Sequence, residues 1–210
     1  MKALFNPFVV LFKKEVYTIK DYFVTKNYDK KFNIITSGAS KKGEGEGKLK
    51  DGVKYTPTSY LTLKEVFDYL DLKEDNILLD LGCGKGRVSF FGFSYGIKKA
   101  IGVDINQSFI DICNVNLKNC LLENKDNIKF LGIDASDYKL SDENVVFMFN
   151  PFGWKTLKKV LANIKESLKN NPRKLNIIYK NPIHRLLFDL DNNWKVIKEN
   201  SEYVIFQNII

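Results

Sequence analysis

Histidine is nearly absent from this chain of 210 residues, in which His184 is the only one. A metal centre built on imidazole ligands and a Ser-His-Asp triad are therefore nearly excluded, and we expect no metal. The three cysteines, Cys83, Cys113 and Cys120, form no CxxC pair. Scattered free thiols are typical of proteins in a reducing compartment, so we expect a cytoplasmic protein.

The sequence also lacks a long apolar run. The stretch from Ala3 to Phe12 is interrupted by Asn6 and Pro7, and no small-residue cleavage site follows it. It is too short to span a bilayer and is a poor signal peptide, so we expect no transmembrane segment. With 44% hydrophobic and 28% charged residues, the chain has the composition and length of one soluble α/β domain with a full core.

Arginine is scarce although the net charge is +8, because Arg87, Arg173 and Arg185 are the only arginines. The excess charge is therefore lysine, spread along the whole chain. Clustered cations attract nucleic acids, but specific recognition of phosphates and bases favours the fork of arginine. A solvated, lysine-rich surface is the favoured interpretation, and a nucleic-acid partner stays open.

The N-terminal quarter has three parts: a predicted helix, a connector and a loop. Residues 8–23 predict an amphipathic helix with an apolar stripe, which has three competing roles: packing on the main domain, self-association or partner contact, and binding to a membrane surface. Residues 28–35 are interpreted as a basic, aromatic connector. Residues 37–52 are rich in glycine and charge and predict a mobile lid or linker. We therefore divide the chain into a helical extension, 1–52, and a main domain, 53–210. The stripe consists of Phe8, Phe12, Val16, Ile19 and Phe23.

The main domain predicts strands alternating with helices. Such alternation implies right-handed crossovers and a mostly parallel sheet, and two closing strands joined by a tight turn at residues 200–202 predict a terminal hairpin. Helices are predicted after a cap at Thr58 or Ser59, over 87–95 and 108–122, and along an apolar stripe over 157–168. The predicted strands are 77–81, 100–104, 128–133, 145–149, 175–179, 194–198 and 203–209.

The most informative stretch is residues 77–91, ILLDLGCGKGRVSFF. A buried strand containing Asp80 leads through Gly82, Gly84 and Gly86 into a helix. Alternating glycines let bare backbone approach a ligand, and the helix N-terminus directs N–H groups at it. The GxGxxG pattern of dinucleotide-binding proteins would need a glycine at Arg87, so an NAD-binding protein is the disfavoured competitor.

This stretch resembles motif I of the class I S-adenosylmethionine (SAM)-dependent methyltransferases. The resemblance covers roughly residues 53–210. It implies SAM as the cofactor and a three-layer fold whose seven-stranded sheet has the order 3-2-1-4-5-7-6 with an antiparallel last strand. More narrowly, the chain is similar to a bacterial group of unassigned substrate, itself related to protein-lysine methyltransferases that lack the SET fold. The narrower pattern is Tyr55-x-Pro57-Thr58-Ser59-Tyr60, DLGCGKGR, Phe149-Asn150-Pro151-Phe152 and Tyr179-x-Asn181-Pro182.

The predicted cofactor residues stand where strands end, as ligand sites do in open parallel sheets. Asp80 is expected to accept from the ammonium of SAM, Asp104 from the ribose hydroxyls, and Asp134 with the Ala135 N–H to bind the adenine amino edge. Each acid has an alternative role as a turn former or helix cap. The resemblance also implies that the segment before motif I contacts the methionine portion of SAM, which places Thr58 and Tyr60 near the cofactor. The full predicted set is Thr58, Tyr60, Asp80, Gly82, Cys83, Gly84, Gly86, Asp104, Ile105, Asp134, Ala135 and Asn150.

Asn150, Pro151 and Phe152 are the predicted catalytic residues. Amino-methylating relatives carry an Asn/Asp-Pro-Pro-aromatic motif here, whose carbonyl oxygens accept from the target NH₂ while the aromatic ring packs on the target or the sulfonium. This chain has one proline, with Phe152 in place of the second, which makes methylation of a planar base less expected. A strand-terminating Asn-Pro turn without catalytic role is the alternative.

Together these patterns predict a SAM-dependent methyltransferase that acts on a nitrogen of a protein side chain or a small molecule. Transfer from a sulfonium needs alignment and desolvation rather than an activated nucleophile, so the lack of a histidine base is no objection. Three alternatives stay open: an RNA or DNA methyltransferase, an O-methyltransferase of a small metabolite or glycan, and a SAM-binding module without catalysis.

Overall fold

The computed structural model describes residues 7–38 and 55–209, with side chains from residue 19 onward. This part of the chain forms six α-helices, one short 3₁₀ helix at Lys125–Asn127 and seven strands, and helices alternate with strands from β1 to β3 and from β4 to β6. The helices are α1 Pro7–Phe32, α2 Tyr60–Leu70, α3 Arg87–Phe93, α4 Gln107–Asn119, α5 Trp154–Asn170 and α6 Leu186–Asp189. The strands are β1 Ile77–Leu81, β2 Lys99–Asp104, β3 Ile128–Gly132, β4 Val145–Phe149, β5 Asn176–Lys180, β6 Trp194–Glu199 and β7 Tyr203–Asn208.

The strands form one sheet in the order β3-β2-β1-β4-β5-β7-β6. The first five in this order run parallel, whereas β7 pairs antiparallel with both β5 and β6. The predicted seven-stranded order is confirmed, and so is the terminal hairpin. The carboxyl ends of β1, β2, β3 and β4 therefore lie along one edge of the sheet, where ligands bind in this architecture.

Alternation along the strands divides the core into two layers. In β1, Leu78 packs with α2, α3 and α4 on one face, while Leu79 packs with α5 on the other. Both faces are covered by helices, which is why the central strands are almost continuously apolar. This arrangement confirms the predicted three-layer sandwich.

The predicted connector at residues 28–35 is wrong, because α1 continues to Phe32. The helix packs on the main domain through Val24, Tyr28 and Phe32, and the Tyr28 ring stacks on Tyr60 with centroids 4.8 Å apart. The face that packs differs from the predicted stripe, since Ile19 and Phe23 of that stripe are each 59% exposed. Their exposure leaves self-association or partner contact open as their role. The side chains of Phe8, Phe12 and Val16 lie outside the described residues.

Residues 39–54, which hold most of the predicted lid or linker, also lie outside the described residues. Beyond them the chain is extended until Ser59, whose Oγ accepts the Leu61 N–H at 3.1 Å and caps α2. Ser59 in turn donates to Asp21 of α1. Among the helices of the described chain, none combines the length and apolarity needed to cross a membrane.

Candidate active site

The loop between β1 and α3 holds three glycines in the left-handed region, with φ of +76° at Gly82, +51° at Gly84 and +83° at Gly86. L-residues with side chains rarely adopt such angles. The N–H of Gly82 donates to the Val103 carbonyl at 2.8 Å, which ties the loop to β2. The loop therefore crosses the carboxyl ends of two adjacent strands.

At each of these three positions a neighbouring side chain also leaves no room for a β carbon. A β carbon at Gly82 would lie 2.4 Å from Pro151, and one at Gly84 would lie 2.2 Å from the ring of Tyr55. At Gly86 it would lie 2.8 Å from Phe130. The bare backbone thus lets the turn after β4 and the segment before α2 pack directly on the loop.

Asp104, at the end of β2, binds the backbone of this loop. Its carboxylate accepts the Gly84 N–H at 2.9 Å and the Asn106 N–H at 2.9 Å, one on each oxygen. Burial raises the pKa of Asp104. Each oxygen has a further lone pair, which suits a ligand with two neighbouring hydroxyls. The next residue, Ile105, is 48% exposed and offers an apolar surface beside them.

Asp134 follows β3, at the outer end of the parallel part of the sheet. Its Oδ1 accepts the Ser136 N–H at 2.7 Å, which makes a turn. Asp134 and Ala135 are both half-buried. The turn-forming role is therefore present, and adenine binding by these two residues stays a prediction.

Asp80 lies beneath the loop and is 1% exposed. The Ser89 hydroxyl donates to its Oδ2 at 3.3 Å. Burial, assisted by the charge of Asp104, raises the pKa of Asp80 to about 8. Without a cation beside it, the side chain is largely a neutral acid at pH 7, and an ammonium group would favour its ionised form.

Asn150 ends β4 beside the glycine loop. Its φ is +39° and its side chain is 7% exposed. The Tyr179 hydroxyl, at the end of β5, donates to Asn150 Oδ1 at 3.3 Å and accepts the His184 N–H at 3.3 Å. Because Pro151 packs on Gly82, the Asn150 turn and the loop form one continuous surface. Phe152 is half-buried and packs on the face of the sheet that α5 covers.

Thr58 and Tyr60 reach the loop region indirectly. The Thr58 carbonyl accepts from Arg87 Nη1 at 3.0 Å, and the Tyr60 ring lies 4.7 Å from the Arg87 guanidinium carbon. The Tyr60 hydroxyl donates to Asp29 Oδ1 at 2.7 Å, and its side chain is fully buried. Contact of either residue with the methionine portion of SAM stays a prediction.

Tyr55 and Asp29 also contribute to the site, although neither was among the predicted site residues. Tyr55 covers Gly84, its hydroxyl donates to the Thr36 carbonyl at 2.8 Å, and burial raises its pKa. Its position in the Tyr-x-Pro pattern was the available signal. Asp29 accepts from Tyr60 and Thr36, but nothing local in its sequence indicates this, because these partners are brought together only by the fold.

These features fit SAM. Within the described residues, a buried acid with no ion-pair partner lies under the loop, an acid that accepts one N–H on each oxygen ends β2, and a half-exposed apolar side chain follows it. We expect these groups to meet the ammonium, the ribose hydroxyls and the adenine of SAM, respectively. Within residues 7–38 and 55–209 no group of three or more His, Cys, Asp or Glu side chains could hold a metal ion.

Comparison with known proteins agrees with this geometry. Residues 78–171 match a family described as a methyltransferase domain. The chain is 31% identical over 121 residues to a protein-lysine N-methyltransferase of Saccharolobus islandicus, a match that covers 56% of this chain and 66% of that protein. It is 42% identical over 60 residues to the ribosomal protein L11 methyltransferase of Hamiltonella defensa, covering 29% of this chain and 19% of that protein.

Solved structures share the fold. A putative methyltransferase, yhhF, from Escherichia coli aligns with a TM-score of 0.59 at 17% identity, over 74% of this chain and 90% of that one. An RNA methyltransferase from Salinibacter ruber in complex with S-adenosyl-L-homocysteine aligns with a TM-score of 0.53 at 16% identity, over 73% of this chain and 94% of that one. Identities this low establish the fold alone.

The matched regions cover only 66% and 19% of the two sequence relatives, so their full activities are not carried over to this chain. What the relatives, the domain match and the strand order share is the methyltransferase domain itself. Residues 78–171 therefore lie in a methyltransferase domain with the fold of the class I SAM-dependent methyltransferases, and the cofactor of this domain is S-adenosylmethionine.

Proposed function

We propose that this protein transfers a methyl group from SAM to a nitrogen atom of a protein side chain or a small molecule. The observation that carries the proposal is Asn150, a buried amide held in the left-handed region where β4 meets the glycine loop. Its placement beside the cofactor loop is that of a residue that binds the acceptor.

The acceptor nitrogen would donate to the side-chain and backbone oxygens of Asn150. The Tyr179 hydroxyl, which already donates to Asn150 Oδ1, restricts the rotation of the amide. The bound cofactor supplies an electrophilic methyl group. Asn150 would direct the lone pair of the neutral nitrogen along the axis of the breaking S–C bond. As the N–C bond formed, the electron pair of the S–C bond would stay on sulfur, S-adenosylhomocysteine would be the leaving group, and the nitrogen would release a proton to solvent. Alignment and exclusion of water are sufficient for such a transfer.

Two features favour a protein or small-molecule acceptor over a nucleic acid. The sequence relatives include a protein-lysine N-methyltransferase and a ribosomal protein L11 methyltransferase. The turn after β4 also lacks the second proline of the motif that methylates planar bases. Phe152, in its place, packs toward α5.

An RNA acceptor is the second candidate, and one surface favours it. The exposed side of α5 carries five lysines against one acid, Glu166, and the helix begins at Trp154, four residues after Asn150. A stripe of cations beside a site attracts phosphates. The lysines are Lys155, Lys158, Lys159, Lys165 and Lys169.

The proposal is tested by incubating the protein and radiolabelled SAM with cell lysate separated into protein, nucleic-acid and small-molecule fractions. We expect label in the protein or small-molecule fraction. Once an acceptor is known, Asn150→Ala should lower kcat by roughly 100- to 1000-fold, as the loss of one preorganised site group typically does. Its affinity for S-adenosylhomocysteine should stay within about threefold, because Asn150 acts on the acceptor.

Asn124→Ala is the matched control, because Asn124 also has a positive φ, +53°, but is exposed and lies at the turn before β3. This variant measures the loss of stability caused by alanine at a positive φ, at a position outside the site. Full activity in Asn150→Ala would refute the role of Asn150. Label confined to RNA would select the second candidate.

A further inference from the structure

Arg87 is a buried arginine at the first position of α3, directly after the glycine loop, and is 4% exposed. Its Nε donates to Thr36 Oγ1 at 2.8 Å and its Nη1 donates to the Thr58 carbonyl at 3.0 Å. The third nitrogen, Nη2, is buried and has no hydrogen-bond partner in the described part of the chain.

Among the described residues, no carboxylate lies within ion-pair distance of the buried Arg87 guanidinium. Asp29 is linked to it only through the Thr36 hydroxyl, which donates to Asp29 Oδ1 at 2.7 Å. The Asp29 carboxylate accepts three further hydrogen bonds from Tyr60, Thr36 and Ser37.

A buried charge with an unsatisfied donor is costly unless an anion binds there. SAM carries a single carboxylate, on its methionine portion, next to the ammonium. The protein places a buried acid, Asp80, before the glycine loop and a buried cation, Arg87, after it. The two therefore complement a zwitterion lying across the loop.

We propose that Arg87 Nη2 donates a hydrogen bond to the α-carboxylate of the methionine portion of SAM. The inference deepens the proposed function and rests on SAM being the cofactor. A planar guanidinium suits this role because its donors match carboxylate geometry. The hydrogen bonds to Thr36 and Thr58 fix the plane of the group, so that Nη2 is oriented before the ligand arrives.

A purely structural role for Arg87 makes a different prediction. The guanidinium joins residues 36 and 58 to α3, so removing it could loosen the site as a whole. In that case every ligand of the loop would bind more weakly, whether or not it had a carboxylate. The two roles are therefore separated by ligands that differ only in this group.

The experiment is calorimetry of the wild-type protein and Arg87→Met with two probes. One is S-adenosylhomocysteine, and the other is 5′-deoxy-5′-(3-aminopropylthio)adenosine, which is the same molecule without its carboxylate. We expect the wild type to bind S-adenosylhomocysteine roughly 10- to 100-fold more tightly, as for one charged hydrogen bond. Arg87→Met should abolish this difference by weakening S-adenosylhomocysteine alone.

Lys85→Met is the matched control, because Lys85 is a second cation on the same loop whose Nζ donates to the carbonyls of Ser37 and Gly38 at 3.3 Å. It should change the affinities of both probes in parallel. Thermal unfolding checks that each variant is folded. If Arg87→Met does not fold, Arg87→Lys replaces it and should weaken S-adenosylhomocysteine selectively.

Two results would overturn the inference: equal affinity of the two probes for the wild type, or an unchanged affinity ratio of the two probes in the Arg87 variant, whether both are weakened equally or neither is weakened. Failure of the wild type to bind S-adenosylhomocysteine at all would instead contradict the cofactor assignment. The two failures are therefore distinguishable.

Discussion

The half of the site built by β1, β2 and β3 is assembled differently from the half built by β4 and β5. In the first half, each group stands in or directly after a strand, and Gly84 and Asp104, 20 positions apart, are joined by one hydrogen bond. In the second half, Asn150 depends on Tyr179 from another strand, and Pro151 packs on Gly82 from the first half. The half predicted to bind the cofactor therefore takes its polar groups from the ends of single strands, whereas the half proposed to bind the acceptor depends on a side-chain hydrogen bond between strands.

The comparison explains why the cofactor is better defined than the acceptor. Parallel strands bring their carboxyl ends together at one edge of the sheet. A glycine turn after one strand and an acid after the next therefore lie side by side, and this placement can be predicted from the sequence. The acceptor half is shaped by long-range contacts, such as the ion pair of Lys180 with Glu202 at 2.7 Å. We expect substitutions in the first half to change cofactor affinity and those in the second to change turnover.

The largest effect on the cofactor half is expected for Asp104→Ala, which removes the predicted acceptor of the ribose hydroxyls. Affinity for S-adenosylhomocysteine, measured by calorimetry, should fall roughly 100-fold, as for two hydrogen bonds to a charged group. Asp111→Ala is the control, since Asp111 lies on the exposed side of α4 and accepts from Gln107. Unchanged affinity in Asp104→Ala would contradict ribose binding by this residue.

A smaller effect is expected from pH, through Asp80. The pKa of this acid, about 8, lies above its ordinary 3.8, so most of the ligand-free protein is protonated there at pH 6.5. Binding an ammonium group selects the ionised form. Affinity for S-adenosylhomocysteine should therefore rise roughly tenfold or more between pH 6.5 and 8.5. Asp80→Asn should bind weakly with a flatter pH profile.

The raised pKa of Asp80 should also make the stability of the folded protein depend on pH, which can be measured without any ligand. Above its ordinary pKa the unfolded chain loses the Asp80 proton, whereas the folded protein keeps it up to about pH 8. The contribution of protonated Asp80 to the free energy of unfolding is fully present below pH 3.8 and is lost as pH rises to about 8. Thermal unfolding of Asp80→Asn should show a smaller loss of stability over this window. An identical pH dependence in both proteins would contradict the burial effect.

The smallest effect is expected in the acceptor half, for Tyr179→Phe. Losing the hydroxyl that donates to Asn150 Oδ1 leaves the amide free to rotate, so Tyr179 is a positioning residue. We expect kcat to fall roughly 3- to 10-fold, the effect of one neutral hydrogen bond, with cofactor affinity unchanged. Tyr203→Phe is the control, because that buried hydroxyl donates to Glu65 instead. An equal fall in kcat in both variants would indicate general destabilisation.

Prediction from sequence succeeded where periodicity and burial agree. The seven strands and the helices α2 to α5 follow from short-range patterns, and the strand order followed from the resemblance that motif I carries. The prediction failed at residues 28–32, because α1 packs through Val24, Tyr28 and Phe32, while Ile19 and Phe23 of the predicted stripe are exposed. The ring of Tyr28 contacts Tyr60 and Phe91, neighbours that no local pattern reveals.

The sequence by itself determined the fold family and the cofactor, because glycines and acids at strand ends act over short distances. Only the tertiary structure decided that Arg87 is buried with Thr36 and Thr58, 51 and 29 positions away, and that Asn150 is held by Tyr179, 29 positions away. Such contacts depend on how helices and strands pack. The sequence shows which polar side chains are present, whereas tertiary packing decides which of them are buried away from water and which hydrogen-bond partners they then have.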